Sequence, residues 1–311
     1  MLRLDCRHRS LPSPILVAVT ELQMPERLFI RLPEDPLCAP GTTVPASTLT
    51  EFSVPAALQP AVAHVMAYEE RFAPDREVVE RVLPDGASRL LIVLHSSAAS
   101  IQVAGARANP VLLTMSGHMH GLSVTLTPGA TLGLFGIPAN ELAGLTVQWD
   151  EIATKAYRDV PEQLVAANDD ATRVQQVLQV LQSLQAMQRP PDSSRQLLEY
   201  AARRLGPKMG DVSVRELAAE LNLSERRVQQ LFASHIGLAP SVWRRLQRLH
   251  GTLRLLRTAE THQWSEVALR AGYYDQSHLI NEFRALCGLT PKQLLQRAVS
   301  DSSNTTNRDT T

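Results

Sequence analysis

Two sets of side chains in this sequence have the types and spacing to do chemistry. Arg226, Arg227, Gln229 and Gln230 share one short stretch whose apolar residues Val228, Leu231 and Phe232 have helical spacing, so the four polar residues project outward. Arginine can make a two-pronged contact with guanine, and glutamine with adenine, in the major groove of DNA. The second set is His118-Met119-His120. On a strand, residues i and i+2 share a face, so both imidazoles could reach one metal ion, with His95 as a third ligand. No acidic residue stands near the pair at matching spacing, and Gly117 and Gly121 flank it as in a loop. These histidines are therefore expected to be structural or exposed, and no metal or other cofactor is expected.

Caps and apolar spacing show which elements would hold the first set. Ser213-Val214-Arg215-Glu216 is a capping box, in which the serine oxygen takes one free amide and the glutamate reaches back to another, so a helix starts at Val214. Val214, Leu217, Ala218 and Leu221 lie on one face, and the pattern breaks at Asn222-Leu223-Ser224. Ser224 caps a second helix running to Gly237. Two short helices joined by a tight turn make a helix-turn-helix. The pattern recurs. Leu217-Ala218 and Asn222 return 50 residues on as Val267-Ala268 and Gly272; Val228, Phe232, Gly237-Leu238 and Pro240 return 51 residues on as Leu279, Phe283, Gly288-Leu289 and Pro291. The slip falls inside the turn, where Tyr273-Tyr274-Asp275 replaces Leu223-Ser224. Repetition of cap, turn and terminator together predicts two helix-turn-helix units in one chain. Between them Pro240 opens a helix to about Thr258, with Val242, Leu246, Leu249, Leu253 and Leu256 on one stripe. At ~1.5 Å per residue it spans about 28 Å, which suits two recognition helices entering successive major grooves ~34 Å apart.

These residues resemble the AraC/XylS family of transcription regulators. The carriers are Ser213-Val214-Arg215-Glu216-Leu217-Ala218, Leu223-Ser224 with Leu231-Phe232, and above all Ala271-Gly272-Tyr273-Tyr274-Asp275-Gln276-Ser277-His278-Leu279 through Phe283, followed by Gly288-Leu289-Thr290-Pro291. The resemblance implies recognition helices at Glu225–Ser234 and Gln276–Leu286. It places base-reading positions at Arg226, Gln229 and Gln230 in the first and at Gln276, Ser277 and Asn281 in the second. Asn281 and Gln230 stand where several members carry arginine. Arg227 and His278 suit phosphates better than bases, and Arg244, Arg245 and Arg248 on the joining helix are candidates to line the DNA backbone. Double-stranded DNA is the expected partner; RNA polymerase and a second copy of the chain, as a homodimer, are further ones.

Composition agrees with that division of labour. The 311 residues carry 31 Lys and Arg against 31 Asp and Glu, yet Arg195 to Val299 alone holds 16 against 9. A basic C-terminal third suits a polyanion, because each cation placed on a phosphate releases counterions. The apolar run Ile15 to Val19 is far too short to cross a membrane, and a cytoplasmic protein is expected. Cys6, Cys38 and Cys287 are scattered without CxxC spacing, so neither disulfides nor a zinc site is signalled.

Upstream, residues 1–55 read as an irregular proline-rich arm and 56–188 as a sensor or dimerisation domain. Short runs at Val78–Leu83, Arg89–His95, Ile101–Ala104, Val111–Met115 and Leu122–Leu126 are spaced like strands of a small antiparallel barrel or sandwich. Short helices follow at Ala130–Phe135 and Pro138–Gly144, and a long one from Pro161 to Gln188, whose stripe Val174, Val177, Leu181 and Leu184 could seal a dimer but more often packs on its own domain. Residues 189–194 read as a linker, 195–299 as the DNA-binding domain and 300–311 as a disordered tail. Residues of about 60 to 160 are similar to a sensor-like domain of undefined ligand found ahead of this DNA-binding unit in some members. Its carriers are Val82-Leu83-Pro84-Asp85-Gly86, Thr127-Pro128-Gly129-Ala130 and Leu134-Phe135-Gly136-Ile137-Pro138; Thr125-Leu126 departs from the arginine-phenylalanine pair expected there. The fold class is α+β, with an all-α C-terminal domain. No catalysis is expected. Two rivals remain: a metal-dependent small-molecule enzyme in the N-terminal barrel with an accessory DNA-binding part, and a ligand-independent DNA-binding protein whose N-terminal domain is only a dimerisation scaffold.

Overall fold

The computed structural model describes residues 26–30, 44–187, 193–206, 212–258 and 263–297. The expected tail at 300–311 and most of the expected arm and linker lie outside them, as do Cys6 and Cys38.

Among the described residues the N-terminal part is built on nine strands. They are β1 (Glu26–Phe29), β2 (Leu49–Phe52), β3 (Val62–Arg71), β4 (Val78–Val82), β5 (Arg89–Leu94), β6 (Ala99–Ala104), β7 (Val111–Met115), β8 (His118–Leu126) and β9 (Thr146–Gln148). They form a three-stranded sheet in the order β1-β4-β7 and a six-stranded sheet in the order β2-β3-β8-β5-β6-β9. The arrangement is a sandwich and not a closed barrel, and β1 runs parallel to β4. Two strands fall within the stretch expected to be irregular, because four-residue strands between prolines leave no period to read. Alternation fixes the faces. Val65, Val124, Leu90 and Val103 sit in one row across the large sheet, and Ala67, Leu122, Ile92 and Ile101 in the next. Both rows are buried beneath helices.

Those helices are α1 (Ala130–Phe135), α2 (Ala139–Leu142), α3 (Trp149–Ile152), α4 (Val160–Ala166) and α5 (Asp170–Met187). The long helix expected from Pro161 to Gln188 is broken between α4 and α5. Asp169 Oδ1 there accepts from the Thr172 amide at 2.7 Å and starts a new helix. The stripe Val174, Val177, Leu181 and Leu184 is buried in the domain's own core, so it is not open to seal a dimer.

The opposite face of the large sheet, turned toward the small one, is unusually polar. Arg27 of β1 donates to both carboxylate oxygens of Glu70 at 3.0 and 2.9 Å and lies 3.6 Å from Glu80. Tyr68, whose ring leaves no room for a Cβ at Gly121, and a buried His64–Thr125 hydrogen bond of 2.9 Å complete this layer. Burial pushes the Tyr68 phenol up to about 12.

The C-terminal part is all helix: α6 (Ser193–Arg204), α7 (Val214–Glu220), α8 (Glu225–His235), α9 (Pro240–Thr258), α10 (Trp264–Arg270) and α11 (Gln276–Cys287). α6 takes in the last two residues of the expected linker. Around α7 and α8, Leu198, Ala201, Leu217, Val228, Leu231 and Phe232 form one core. Leu246, Leu249, Leu253, Val267, Leu279 and Phe283 form another around α9 to α11, and Leu28, Ile30 and Leu83 of the N-terminal part are buried in it.

The charged layer generates a prediction. Burial holds the Glu80 carboxyl above its usual range, more strongly than Arg27 pulls it down. The stability this gives is full at low pH and is lost as pH rises through the folded-state value. The melting temperature of the parent should therefore fall relative to that of Glu80→Gln as pH rises above the ordinary glutamate range. A difference that does not change with pH would contradict this assignment.

Candidate nucleic-acid interface

The two helix-turn-helix units are made by the same local chemistry. Ser213 Oγ accepts from the Glu216 amide at 3.1 Å while Glu216 accepts from the Ser213 amide at 2.8 Å, closing the capping box on α7. Ser224 Oγ caps α8 through the Arg227 amide at 3.2 Å, and Asp275 Oδ1 caps α11 through the His278 amide at 2.7 Å. The turns between helices coincide bond for bond. Leu223 N donates to Ala218 O and Tyr273 N to Ala268 O, both at 2.8 Å; Asn222 N donates to Ala219 O and Gly272 N to Leu269 O, both at 3.1 Å. The pivot residue is left-handed in each, Asn222 at φ 53° and Gly272 at φ 80°. Only glycine adopts this conformation freely, with asparagine the usual exception.

The turns place α8 and α11 with their first turns outward. Arg226, Gln229 and Gln230 on α8 and Gln276, Ser277 and Asn281 on α11 are all exposed. The start of a recognition helix is the part that reaches base edges in this motif. Arg227 is exposed as well, and His278 is half-buried. His278 Nδ1 accepts from the Tyr274 amide at 3.3 Å, which leaves Nε2 carrying the proton as a donor.

Arg244, Arg245 and Arg248 of α9 are partly engaged inside the domain. Arg245 Nε donates to Glu282 of α11 at 2.8 Å. Arg248 donates to Gly272 O at 3.4 Å and stacks on the Tyr273 ring at 5.5 Å, bracing the second turn. Arg244 donates to Val212 O at 3.4 Å. Burial pushes the Tyr273 phenol up to about 12. Tyr274, not singled out by sequence, is 91% exposed in the turn just before α11, where a phenol can reach phosphate. The second of two consecutive tyrosines in a tight turn was the signal for it.

His118 and His120 begin strand β8 and do not sit in a loop. They share a face, with rings 6.0 Å apart. Each has an acidic partner that sequence spacing does not reveal: Glu69 Oε1 lies 3.0 Å from His118 Nε2, and Asp170 Oδ1 lies 2.9 Å from His120 Nε2. The hydrogen bond from His118 holds the Glu69 carboxyl below its usual range. His95 lies past the end of β5. Among the described residues no group of three His, Cys, Asp or Glu is placed to hold a metal ion. Cys287 is buried, and burial pushes its thiol up, which leaves it inert as a nucleophile. No helix of the described residues is long and apolar enough to cross a membrane.

Residues 217–297 match a family described as a helix-turn-helix domain. These residues form an AraC-type DNA-binding domain of a transcription regulator. Residues 50–148 match a domain of unknown function, DUF6597. No curated protein sequence matches the chain. Among solved structures it is similar to ToxT from Vibrio cholerae, at 12% identity over 75% of this chain and 97% of that one with a TM-score of 0.37. ToxT bound to (E)-4-(8-methylnaphthalen-1-yl)but-3-enoic acid is similar at 12% identity over 81% and 98% with a TM-score of 0.38.

The repeated turn sets up a comparison of substitutions. A Cβ at Gly272 would meet Arg248 Cδ no closer than 3.8 Å, so conformation and not space restricts the site. Gly272→Val should cost about 1–2 kcal/mol in stability, whereas Gly272→Asn, the residue of the first copy, should melt near the parent. Equal melting of both variants would show that the turn does not depend on its left-handed pivot.

Proposed function

We propose that this AraC-type regulator reads a specific DNA site with two recognition helices of one chain. Arg226, Gln229 and Gln230, then Gln276, Ser277 and Asn281, face base edges. Arg227 and His278 contact phosphates, and Arg244, Arg245 and Arg248 add backbone contacts. The observation that carries this reading is that all six base-facing side chains are exposed on helices set by two copies of one turn. Arginine, glutamine and asparagine there match the donor and acceptor pattern of the major groove.

The same reading gives residues 195–299 to DNA and makes the acidic N-terminal domain a sensor or dimerisation unit. Such a regulator works in the cytoplasm, with RNA polymerase as a further partner. A homodimer would have to use a surface other than the buried stripe of α5. Catalysis is no part of the proposal, since His118 and His120 are each engaged by a separate carboxylate. Stoichiometric metal that disappears from the His118→Ala, His120→Ala double variant would reinstate the enzyme reading.

The DNA-reading roles are tested by titration. Arg226→Ala and Asn281→Ala should each keep the parent's melting temperature and weaken cognate DNA by about 1–3 kcal/mol with little effect on random DNA. Arg227→Ala should weaken both about equally and reduce the salt slope by ~1. Equal losses on cognate and random DNA for Arg226→Ala and Asn281→Ala would remove both from the base-reading set.

A further inference from the structure

Each repeat ends its recognition helix on a glycine with positive φ, Gly237 after α8 at 84° and Gly288 after α11 at 71°. Helix termination accounts for the conformation. It does not account for what lies against the two glycines. A Cβ on Gly237 would stand 2.7 Å from the carbonyl oxygen of Ala139, and one on Gly288 would stand 2.6 Å from Arg81 Nη1. Both neighbours belong to the N-terminal domain. At each point that domain also donates a hydrogen bond to the end of the helix: the Gly129 amide to His235 O at 2.7 Å, and Arg81 Nη1 to Cys287 O at 3.2 Å.

The contacts are equivalent in chemistry as well as in place. The last carbonyls of a helix have no partner within it and form the negative end of its dipole, so a donor of any kind is favourable there. One domain thus holds the same end of both recognition helices. Between these two points it also touches α9, where His250 Nε2 donates to Pro84 O at 3.0 Å and Leu246 and Trp243 pack at Gly86.

We propose that the N-terminal domain fixes the separation and phase of the two recognition helices, with Arg81 and the Gly129 amide as positioning contacts. This rests on the reading that both helices enter DNA. Among the described residues, α9 is the helix that otherwise joins the units. One added base pair between the two half-sites moves the second by ~3.4 Å along the axis and turns it by about 35°. Only a held pair of helices penalises that change strongly.

Arg81 is the residue to change. It also pairs with Glu26, but Glu26 keeps Arg297 as a second partner, so removing Arg81 leaves no unpaired buried carboxylate. The full chain is titrated with duplexes carrying the bound site at its natural spacing or with one base pair inserted between its halves. The parent should bind the inserted site about tenfold or more weakly. Arg81→Ala should narrow that ratio several-fold, and Arg81→Lys should restore most of it. Arg81→Gln stands in if the alanine variant melts early. A ratio that stays at the parental value in Arg81→Ala and Arg81→Gln overturns the positioning role alone. A parent that binds both duplexes alike overturns the two-groove reading, and the proposal with it.

Discussion

The alternation of one short strand decides how the two halves of this molecule relate. Arg27 and Phe29 of β1 point into the sandwich, while Leu28 and the following Ile30 are buried in the core of the second helix-turn-helix unit. β4 does the same: Glu80 faces inward, and Leu83, just past its end, joins the helical core. Side chains on a strand alternate with a period of two, so neither surface can shift without the other. Burying three aliphatic side chains contributes about 1.5–3 kcal/mol each. The linker is therefore not the main tie between the domains. The second recognition helix is held against β1 and β4, whose other face is the interior of the N-terminal domain.

The charged layer inside the sandwich fits that requirement. Arg27 is buried with two carboxylates, Glu70 and Glu80, and such clusters gain little net stability because desolvation offsets the attraction. What they supply is register. A slip of one residue in β1 would turn Arg27 into the leucine-rich core of the helical domain and set Leu28 against Glu80. A four-residue parallel strand has few backbone bonds to resist such a slip, and the ion pairs resist it instead.

How much of this the sequence showed depended on how local the determinants were. The helix-turn-helix units were legible twice over, because cap, turn and terminator are short-range chemistry repeated at 50 and 51 residues. β1 and β2 were not, since each has only four residues and is defined by pairing with strands far along the chain. The partners of His118 and His120 were hidden for the same reason, lying 49 and 50 residues away. The exposed polar residues of α8 and α11 were legible as types on a helix face. That Arg245 pairs with Glu282, 37 residues on, was not. A helix face rich in arginine looks the same in sequence whether it meets solvent, phosphate or a neighbouring carboxylate.

That ambiguity bears on the basic surplus of the C-terminal third. Part of it is neutralised within the domain: Arg195 pairs with Glu199, Arg204 with Glu220, Arg245 with Glu282 and Arg270 with Glu266. Surface pairs of this kind add little to stability, and each offsets part of the charge that its arginine presents to a polyanion. Arg215, Arg226, Arg227, Arg284 and Lys292 remain exposed, on or beside the two units. The charge that favours DNA is thus concentrated around α8 and α11, on the same elements whose polar side chains have the shapes to read bases. On the proposed reading, attraction to phosphate and discrimination between sequences act through one surface, backed by β1 and β4 behind the second unit and by the segment of Gly129 and Ala139 behind the first.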